Sequence, residues 1–517
     1  MTGTRQRLIL AVLVFSPLVI WMDNTILTIA FVRLADPERG LGASPGELQW
    51  AVGSYTLVFA TLMFTAGVIG DRVGHRTVLV AGMVVFGLAS VWGAYASSPA
   101  ELIAARAAMG VGSALAVPAT MAILTWAFTG PARASAFGAF SVSAGVGLAI
   151  GPVLGGALLD RFWWGSVFLV NVPIVVVALV AIFWVVPDFR SPRPRRLDVA
   201  GLVLPTIGLA ALAYGLIRAG QVAAWVRWDV TAPIAAGLVL LAVFVLVELR
   251  IGHPSFDPRL LAQRVFGGGN AALGLLFLAM TGSTFFAAFY LQGARDYSPL
   301  AAGLAGGLPA ALGVMLGAPL ATRLVARSSV RRVAATGLAV SGLAMGGWSL
   351  VGLHTPLVWI EALSFVQGLA IGTVIAPVST AVMSVLPLER AGAGSAVNNT
   401  VRQTGSLLGI AAGGTIMSIV YRRGIESDLT ALPGQVREQA RVSAEQARHV
   451  AATTNRPDLV EAADRAFMHA MHVASLWMMA IALAGAVVLA FAFRPARSER
   501  PAPASEPERD ERAANPV

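Results

Sequence analysis

The sequence predicts an all-α integral membrane protein with fourteen transmembrane helices, arranged as two six-helix bundles with two further helices inserted between them. Three observations predict it. Of 517 residues, 56% are hydrophobic and 12% charged, about half the charged share of an average soluble domain. Mean hydropathy is +0.74. The apolar residues fall into runs of about 20, the length that crosses a bilayer as a helix. The basic residues, all of them arginines, collect in every second gap between those runs.

In order, the runs are Leu8–Val32, Leu48–Gly70, Thr77–Ala96, Leu102–Phe128, Ala134–Leu159, Phe162–Val186, Leu197–Ile217, Val230–Val247, Gly267–Leu291, Leu300–Leu320, Val333–Leu353, Pro356–Val385, Ser395–Val420 and Ala470–Phe493. The first follows Arg5 and Arg7 as a signal peptide would. It is too long for an h-region and reads as an uncleaved span. The sixth closes one set of six spans and the ninth opens another. The seventh and eighth carry few polar side chains and are expected at the periphery. The expected units are therefore 1–190, a two-helix insertion 191–266, and 267–494, with a disordered Pro-, Glu- and Arg-rich tail at 495–517. Two six-span halves place a binding site at their interface.

Arginine placement orients the chain. Arg72, Arg76, Arg133, Arg190, Arg193, Arg195, Arg196, Arg250, Arg259, Arg264, Arg327, Arg331, Arg332 and Arg390 fall on one side, which the positive-inside rule makes cytoplasmic, along with both termini. Short loops on the other side hold fewer, among them Arg33, Arg39, Arg161, Arg227 and Arg295, and that side also has one long loop, Tyr421–Met468. Within that loop, Gln435–Val450 reads as an amphipathic helix lying on the membrane surface.

Composition also excludes. The net charge of +10 is spread over loops between spans, so it marks a membrane face and not a nucleic-acid surface. There is no cysteine, hence no disulfide and no thiolate chemistry. Gly110 and Gly112 lie inside an apolar helix with no strand before them, so they fail the context of a nucleotide loop. No P-loop is present, and no cofactor or metal is expected. His469 and His472 alone are too few for a metal site and read as interfacial. Asn398-Asn399-Thr400 matches a glycosylation pattern only at membrane depth.

The polar residues inside spans carry the functional reading. Asp23 sits near the centre of the first run, where a carboxylate must be protonated, paired or hydrated. It is either a proton carrier or a structural partner for an arginine. Arg106, toward one end of the fourth run, either answers the Asp23 charge or snorkels to the interface. Arg402, beside Gln403, either meets substrate or locks helices through carbonyls. Glu361 is an outer-gate acid or a solvated end residue. Asn270, Gln292 and Gln367 are candidate cavity hydrogen-bonding groups. Trp21, Met22, Trp50, Tyr55, Phe285, Phe286, Phe289 and Tyr290 are candidates for an adaptable apolar pocket, against the alternative of lipid-facing belts.

Several motifs are specific. Gly67-Val-Ile-Gly70-Asp71-Arg72-Val-Gly74-His75-Arg76 is a tight turn: Gly74 is free to take a left-handed conformation, and Asp71 is placed to cap the next helix or pair with an arginine. Its spacing resembles the loop signature of the major facilitator superfamily, with His75 at a usually basic position. Arg106 with Gly110 and Gly112 resembles that superfamily's fourth-helix motif. Gly147 through Gly151-Pro152 to Gly155-Gly156 resembles the fifth-helix motif of its antiporters; small residues there allow close helix contact. Phe168-Leu-Val-Asn171-Val-Pro173, Leu48-Gln49-Trp50 to Tyr55, Tyr290-Leu-Gln292 to Ser298-Pro299-Leu300, and Asn399-Thr-Val-Arg402-Gln403-Thr-Gly405 resemble the fourteen-span drug:proton antiporters.

That resemblance implies a proton-coupled exporter of lipophilic, often cationic drugs that works by alternating access. It implies proton coupling at Asp23 and Arg106, and conformational roles for Gly67, Asp71, Arg72, Gly74, Arg76, Gly151 and Pro152. Trp21, Tyr55, Phe285, Phe289, Gln292, Gln367, Asn399 and Arg402 are the candidate substrate contacts. Small lipophilic substrate, protons and membrane lipid are the expected partners, in the bacterial cytoplasmic membrane, with the chain acting as a monomer. The sequence departs from the pattern at Thr28, Val32, Gly53, Gly165 and Ser166. It has no carboxylate in the tenth and thirteenth runs, and Arg323–Arg332 lacks the acid and glycine of the first-half loop. An exporter of one endogenous natural product is a second reading. A membrane enzyme is a third, which the Tyr421–Met468 loop does not support, since its charges lack metal-ligand spacing.

Overall fold

The computed structural model describes residues 3–188, 198–251, 258–386 and 391–493. Arg190, Arg193, Arg195, Arg196, Arg390, the unit junctions at 190 and 494, and the tail 495–517 lie outside the described residues. Among the described residues, thirteen helices are long and apolar enough to cross a membrane, and the bent pair Pro45–Met63 and Thr65–Val73, 52° apart, makes a fourteenth. In chain order the spans are Gln6–Ala35, this bent second span, His75–Ala94, Pro99–Ala127, Ser135–Arg161, Ser166–Val185, Val199–Val222, Trp228–Arg250, Arg264–Ala294, Pro299–Arg327, Val330–Leu350, Leu357–Ser384, Val397–Leu429 and Pro457–Ala492. No strand occurs among the described residues.

Local chemistry sets the ends. Ser44 caps the second span in a reciprocal capping box with Glu47, with Pro45 in the first turn. Ser98 caps the fourth span and Asp198 the seventh, each accepting a backbone N–H of the following turn. In lipid the apolar side chains give no net drive to association, so close backbone approach must provide the contact, and small residues mark where it happens. Gly82 of the third span and Gly112 of the fourth face each other so closely that a Cβ on either would lie 2.7 Å from the other's carbonyl oxygen. The eighth span is the least covered, and the seventh lies between it and the second and thirteenth spans. The inserted pair therefore flanks the bundle, but its inner member is an integral wall. Gly220 packs on Thr415, and Thr415 Oγ1 donates to the Leu216 carbonyl at 2.7 Å.

The Tyr421–Met468 segment differs from its expectation. The thirteenth span continues to Leu429, and the last begins at Pro457 instead of Ala470. A hydropathy window misses these turns because their outer faces carry Glu461 and Arg465 while Leu459, Ala463, Ala466 and Phe467 are buried. The surface helix expected over Gln435–Val450 is two helices, Gly434–Val442 and Ala444–Thr454, broken where Ser443 turns extended and caps the second. Their apolar face, Ala440, Ala444, Ala447, Val450 and Ala451, is buried in the protein and not laid on a membrane. Arg448 ties the second of them to the last span through Asp464 at 2.6 Å. Burial alone would lower the Arg448 pKa, but Glu445 and Asp464 outweigh it and raise the value.

Candidate functional site

Asp23 lies in the middle of the first span and is fully buried. Its Oδ2 accepts from Arg106 Nη1 at 2.5 Å, and its Oδ1 accepts from Asn171 Nδ2 at 2.9 Å. Arg106 is also fully buried, which overturns the snorkelling reading. Its Nε donates to the Ala51 carbonyl at 3.1 Å, and its guanidinium lies 4.4 Å from the centre of the Tyr55 ring. Tyr55 in turn donates to Ser113 Oγ at 2.8 Å. The first, second, fourth and sixth spans thus converge on one buried ion pair. Removing either partner would strand a buried charge, a change that typically costs about 3–5 kcal/mol.

A cavity of about 280 Å³ lies on the other side of the first span, between residues of the first six spans and residues of the ninth to thirteenth. Trp21, Asn24, Thr25 and Thr28 line it. Their spacing of three, four and seven residues puts them on one helix face, and Asp23 points away from that face. Phe31, Phe277, Phe285 and Trp348 supply aromatic wall, while Thr56, Thr281, Ser283, Gln367 and Gln403 supply hydrogen-bonding groups. Gln367 Nε2 donates to Ser283 Oγ at 3.2 Å, across the twelfth and ninth spans.

Of the sequence-predicted pocket residues, Trp21, Phe285 and Gln367 line this cavity. Tyr55, Phe289, Gln292, Asn399 and Arg402 do not. Tyr55 belongs to the ion-pair cage. Phe289 packs on Phe31, with ring centres 6.0 Å apart, and backs the wall. Gln292 is turned into the helix interface, where it donates to the Ile29 carbonyl at 2.9 Å. Asn399 donates to the Ser395 carbonyl of its own helix, and the Arg402 guanidinium lies 4.4 Å from the centre of the Phe277 ring. Phe286 and Tyr290 pack edge-on against Trp348, and Asn270 pairs with Asn398. Glu361 is half-buried near the start of the twelfth span, away from the cavity. His472 is held by the Val351 carbonyl at 2.8 Å. Asn171 is visible in the sequence as a motif residue without a role. The signal is an amide inside a run of valines and isoleucines. Thr281 and Ser283 give no such signal, since hydroxyls in spans usually bond their own helix, and both do.

The glycines of the fifth-span motif pack closely. Gly147, Gly151 and Gly155 repeat every four residues and face the first span. A Cβ at Gly151 would overlap Thr25 Oγ1 and lie 2.8 Å from the Met22 carbonyl oxygen. Pro152 sits within a continuous helix and abuts Gly303 and Gly307 of the tenth span, and Gly156 abuts Leu300. Gly74 adopts φ 114°. Asp71 does not cap the third span; it pairs with His75 at 3.2 Å, so the imidazole fills the usually basic position as a partner within one turn. Arg76 reaches the sixth span, donating to the Phe183 carbonyl at 2.7 Å and lying over the Phe183 ring. Arg72 is exposed, and Gly67 makes no close approach.

Residues 13–410 match the family model of the Major Facilitator Superfamily. The chain is 35% identical to the puromycin resistance protein of Streptomyces alboniger over 79% of this chain and 81% of that one. It is 31% identical to the methyl viologen resistance protein of Salmonella typhimurium, over 93% and 95% of the two chains. It is 31% identical to a multidrug efflux pump of Mycolicibacterium smegmatis, over 95% and 97%. Its fold is similar to that of a bacterial homolog of the human lysosomal transporter Spinster, solved in an inward-facing and unoccupied conformation, with a TM-score of 0.65 at 16% identity over 95% of this chain and 98% of that chain. With family model, near-full-length relatives and helix architecture in agreement, the chain belongs to the Major Facilitator Superfamily.

Proposed function

We propose that the protein exports lipophilic small molecules across the bacterial cytoplasmic membrane in exchange for protons. The single observation that carries this reading is the buried Asp23–Arg106 pair with Asn171, one helix face away from a cavity between the two sets of six spans. A carboxylate at that depth is favoured in only two states, ionised beside its arginine or protonated, and switching between them is what proton coupling requires.

In this reading the end carrying Arg72, Arg76, Arg133 and Arg264 faces the cytoplasm. The contacts between the halves support closure toward the opposite end: Gln292 on Ile29, Ser298 on Asp160 at 3.2 Å, Leu300 on Gly156, and Gln49 on Gly414. A proton arriving from outside neutralises Asp23 and loosens its hold on Arg106. The first and fourth spans then shift, and with them the cavity face carried by Trp21, Asn24 and Thr28. Loss of the proton to the cytoplasm restores the pair. Residues 1–190 and 267–494 are the units that rock, and 191–266 follows them as a flank. One chain suffices.

Efflux in everted vesicles under an imposed proton gradient tests this. Transport by the wild type and its loss in a normally expressed Asp23→Asn variant are expected. Proton-driven transport retained by Asp23→Asn would sink the coupling role. A single narrow substrate in a broad screen would turn the reading toward export of one natural product.

A further inference from the structure

We infer that the central cavity takes uncharged, hydrogen-bonding lipophiles and discriminates against permanent cations. This rests on the export reading above and names the substrate class of the same cavity.

The lining carries no ionisable side chain among the described residues. Its polar groups are amides and hydroxyls, among them Asn24, Thr56, Ser364, Gln403 and Ser406. Each both donates and accepts, so the set suits carbonyl, hydroxyl and amide groups on a neutral ligand. The nearest spans hold four charged groups that bear on the choice. Asp23 is fully buried on the far face of its helix, and both its oxygens are taken by Arg106 and Asn171. When ionised it is matched by Arg106; when protonated it leaves the guanidinium positive. The pair offers the cavity no negative charge in either state. Arg402 does not line the cavity, but its guanidinium lies 4.4 Å from the centre of the Phe277 ring, which does, so it adds positive charge beside that part of the wall. Glu361 does not line the cavity.

A cation closed into this space loses its water and meets no counter-charge. Ring faces at Trp21, Phe31, Phe285 and Trp348 give some cation–π attraction, which is smaller than the desolvation cost of an unpaired charge. Phe277 contributes less, because its ring already holds the Arg402 guanidinium. A neutral ligand with two or three polar groups pays no such cost.

The test uses the full chain in proteoliposomes with an imposed proton gradient and a panel of uncharged dyes and antibiotics matched in size to permanent cations such as tetraphenylphosphonium and ethidium. Uncharged members are expected to move at least tenfold faster than the cations. Thr56→Asp or Ser406→Asp, each adding a carboxylate to the lining, should raise tetraphenylphosphonium transport at least fivefold in protein that remains monodisperse. Cations moved as fast as neutral compounds by the wild type, or no gain in either folded variant, would overturn the inference and leave the export reading standing. Transport of nothing in the panel would overturn both.

Discussion

Asn171 donates to Asp23 across 2.9 Å, on the carboxylate oxygen that Arg106 leaves open. The amide keeps both oxygens satisfied while the acid is ionised, and it places the sixth span inside the proton-linked cluster. Asn171→Ala removes that bond without adding bulk. About a tenfold fall in proton-driven efflux is expected, corresponding to roughly 1.4 kcal/mol, the range of one hydrogen bond to a charged group. Vesicle assays at matched expression check it, and unchanged efflux would return Asn171 to a packing role.

Arg106 holds Asp23, the Ala51 carbonyl and the Tyr55 ring at once. Arg106→Ala strands Asp23 and should lower stability by about 3–5 kcal/mol. Melting of the detergent-solubilised protein reads this. Arg106→Ala/Asp23→Asn, which removes both charges, should recover most of the melting temperature but not transport. If the double variant melts no higher than the single, the ion pair is not what holds these spans.

Gly151→Leu would drive a side chain into Thr25 and the Met22 carbonyl, separating the first and fifth spans beside the cavity. Transport should fall at least a hundredfold, because the Met22 backbone cannot move aside and the β-branched Thr25 has little room to do so. Gly151→Ala should be milder but still impaired. Wild-type rates for the leucine variant would mean that the interface opens wide enough during transport to ignore the clash.

The chain has no cysteine, so single cysteines report conformation without background. Gln292→Ala deletes the bond to the Ile29 carbonyl and should weaken closure at that end by about 1 kcal/mol, roughly a fivefold shift in population. A cysteine replacing Thr25 or Thr28 in the cavity wall reads the opening through its rate of thiol labelling. Faster labelling from the side opposite Arg72 is the expected result. Equal rates in both backgrounds would remove Gln292 from the closure.

Gly74→Ala places a side chain at φ 114° and against the Asp188 carboxylate. A cost of about 1–2 kcal/mol is expected from the backbone alone, seen as a lower melting temperature. Restored stability in Gly74→Ala/Asp188→Ala would assign the larger share to the carboxylate contact instead.

Hydropathy and arginine spacing by themselves determined the span count, because a bilayer admits only helices of a set length and each apolar run is a local property of the chain. The small-residue motifs also carried their meaning locally: Gly147, Gly151 and Gly155 repeat with the helix and can only mark a close contact. The central acid at Asp23 was visible for the same reason, since a carboxylate in the middle of an apolar run stands out locally. Which residues meet that acid was decided by tertiary structure. Arg106 is 83 residues away and Asn171 is 148, and nothing local reports such a distance. The same holds for the cavity. Phe285 and Phe289 are one turn apart and chemically identical, yet only Phe285 reaches the lining, although Phe31 of the first span packs against both. Gln292 and Gln367 read alike as cavity amides, and a backbone carbonyl on another span claimed one of them. The outer turns of the last span were hidden because burial against the loop helices, and not lipid, accepts their apolar face. Local apolarity and periodicity decide that a helix forms and crosses; which of its faces meets lipid, cavity or a buried charge depends on partners that only the packed bundle supplies.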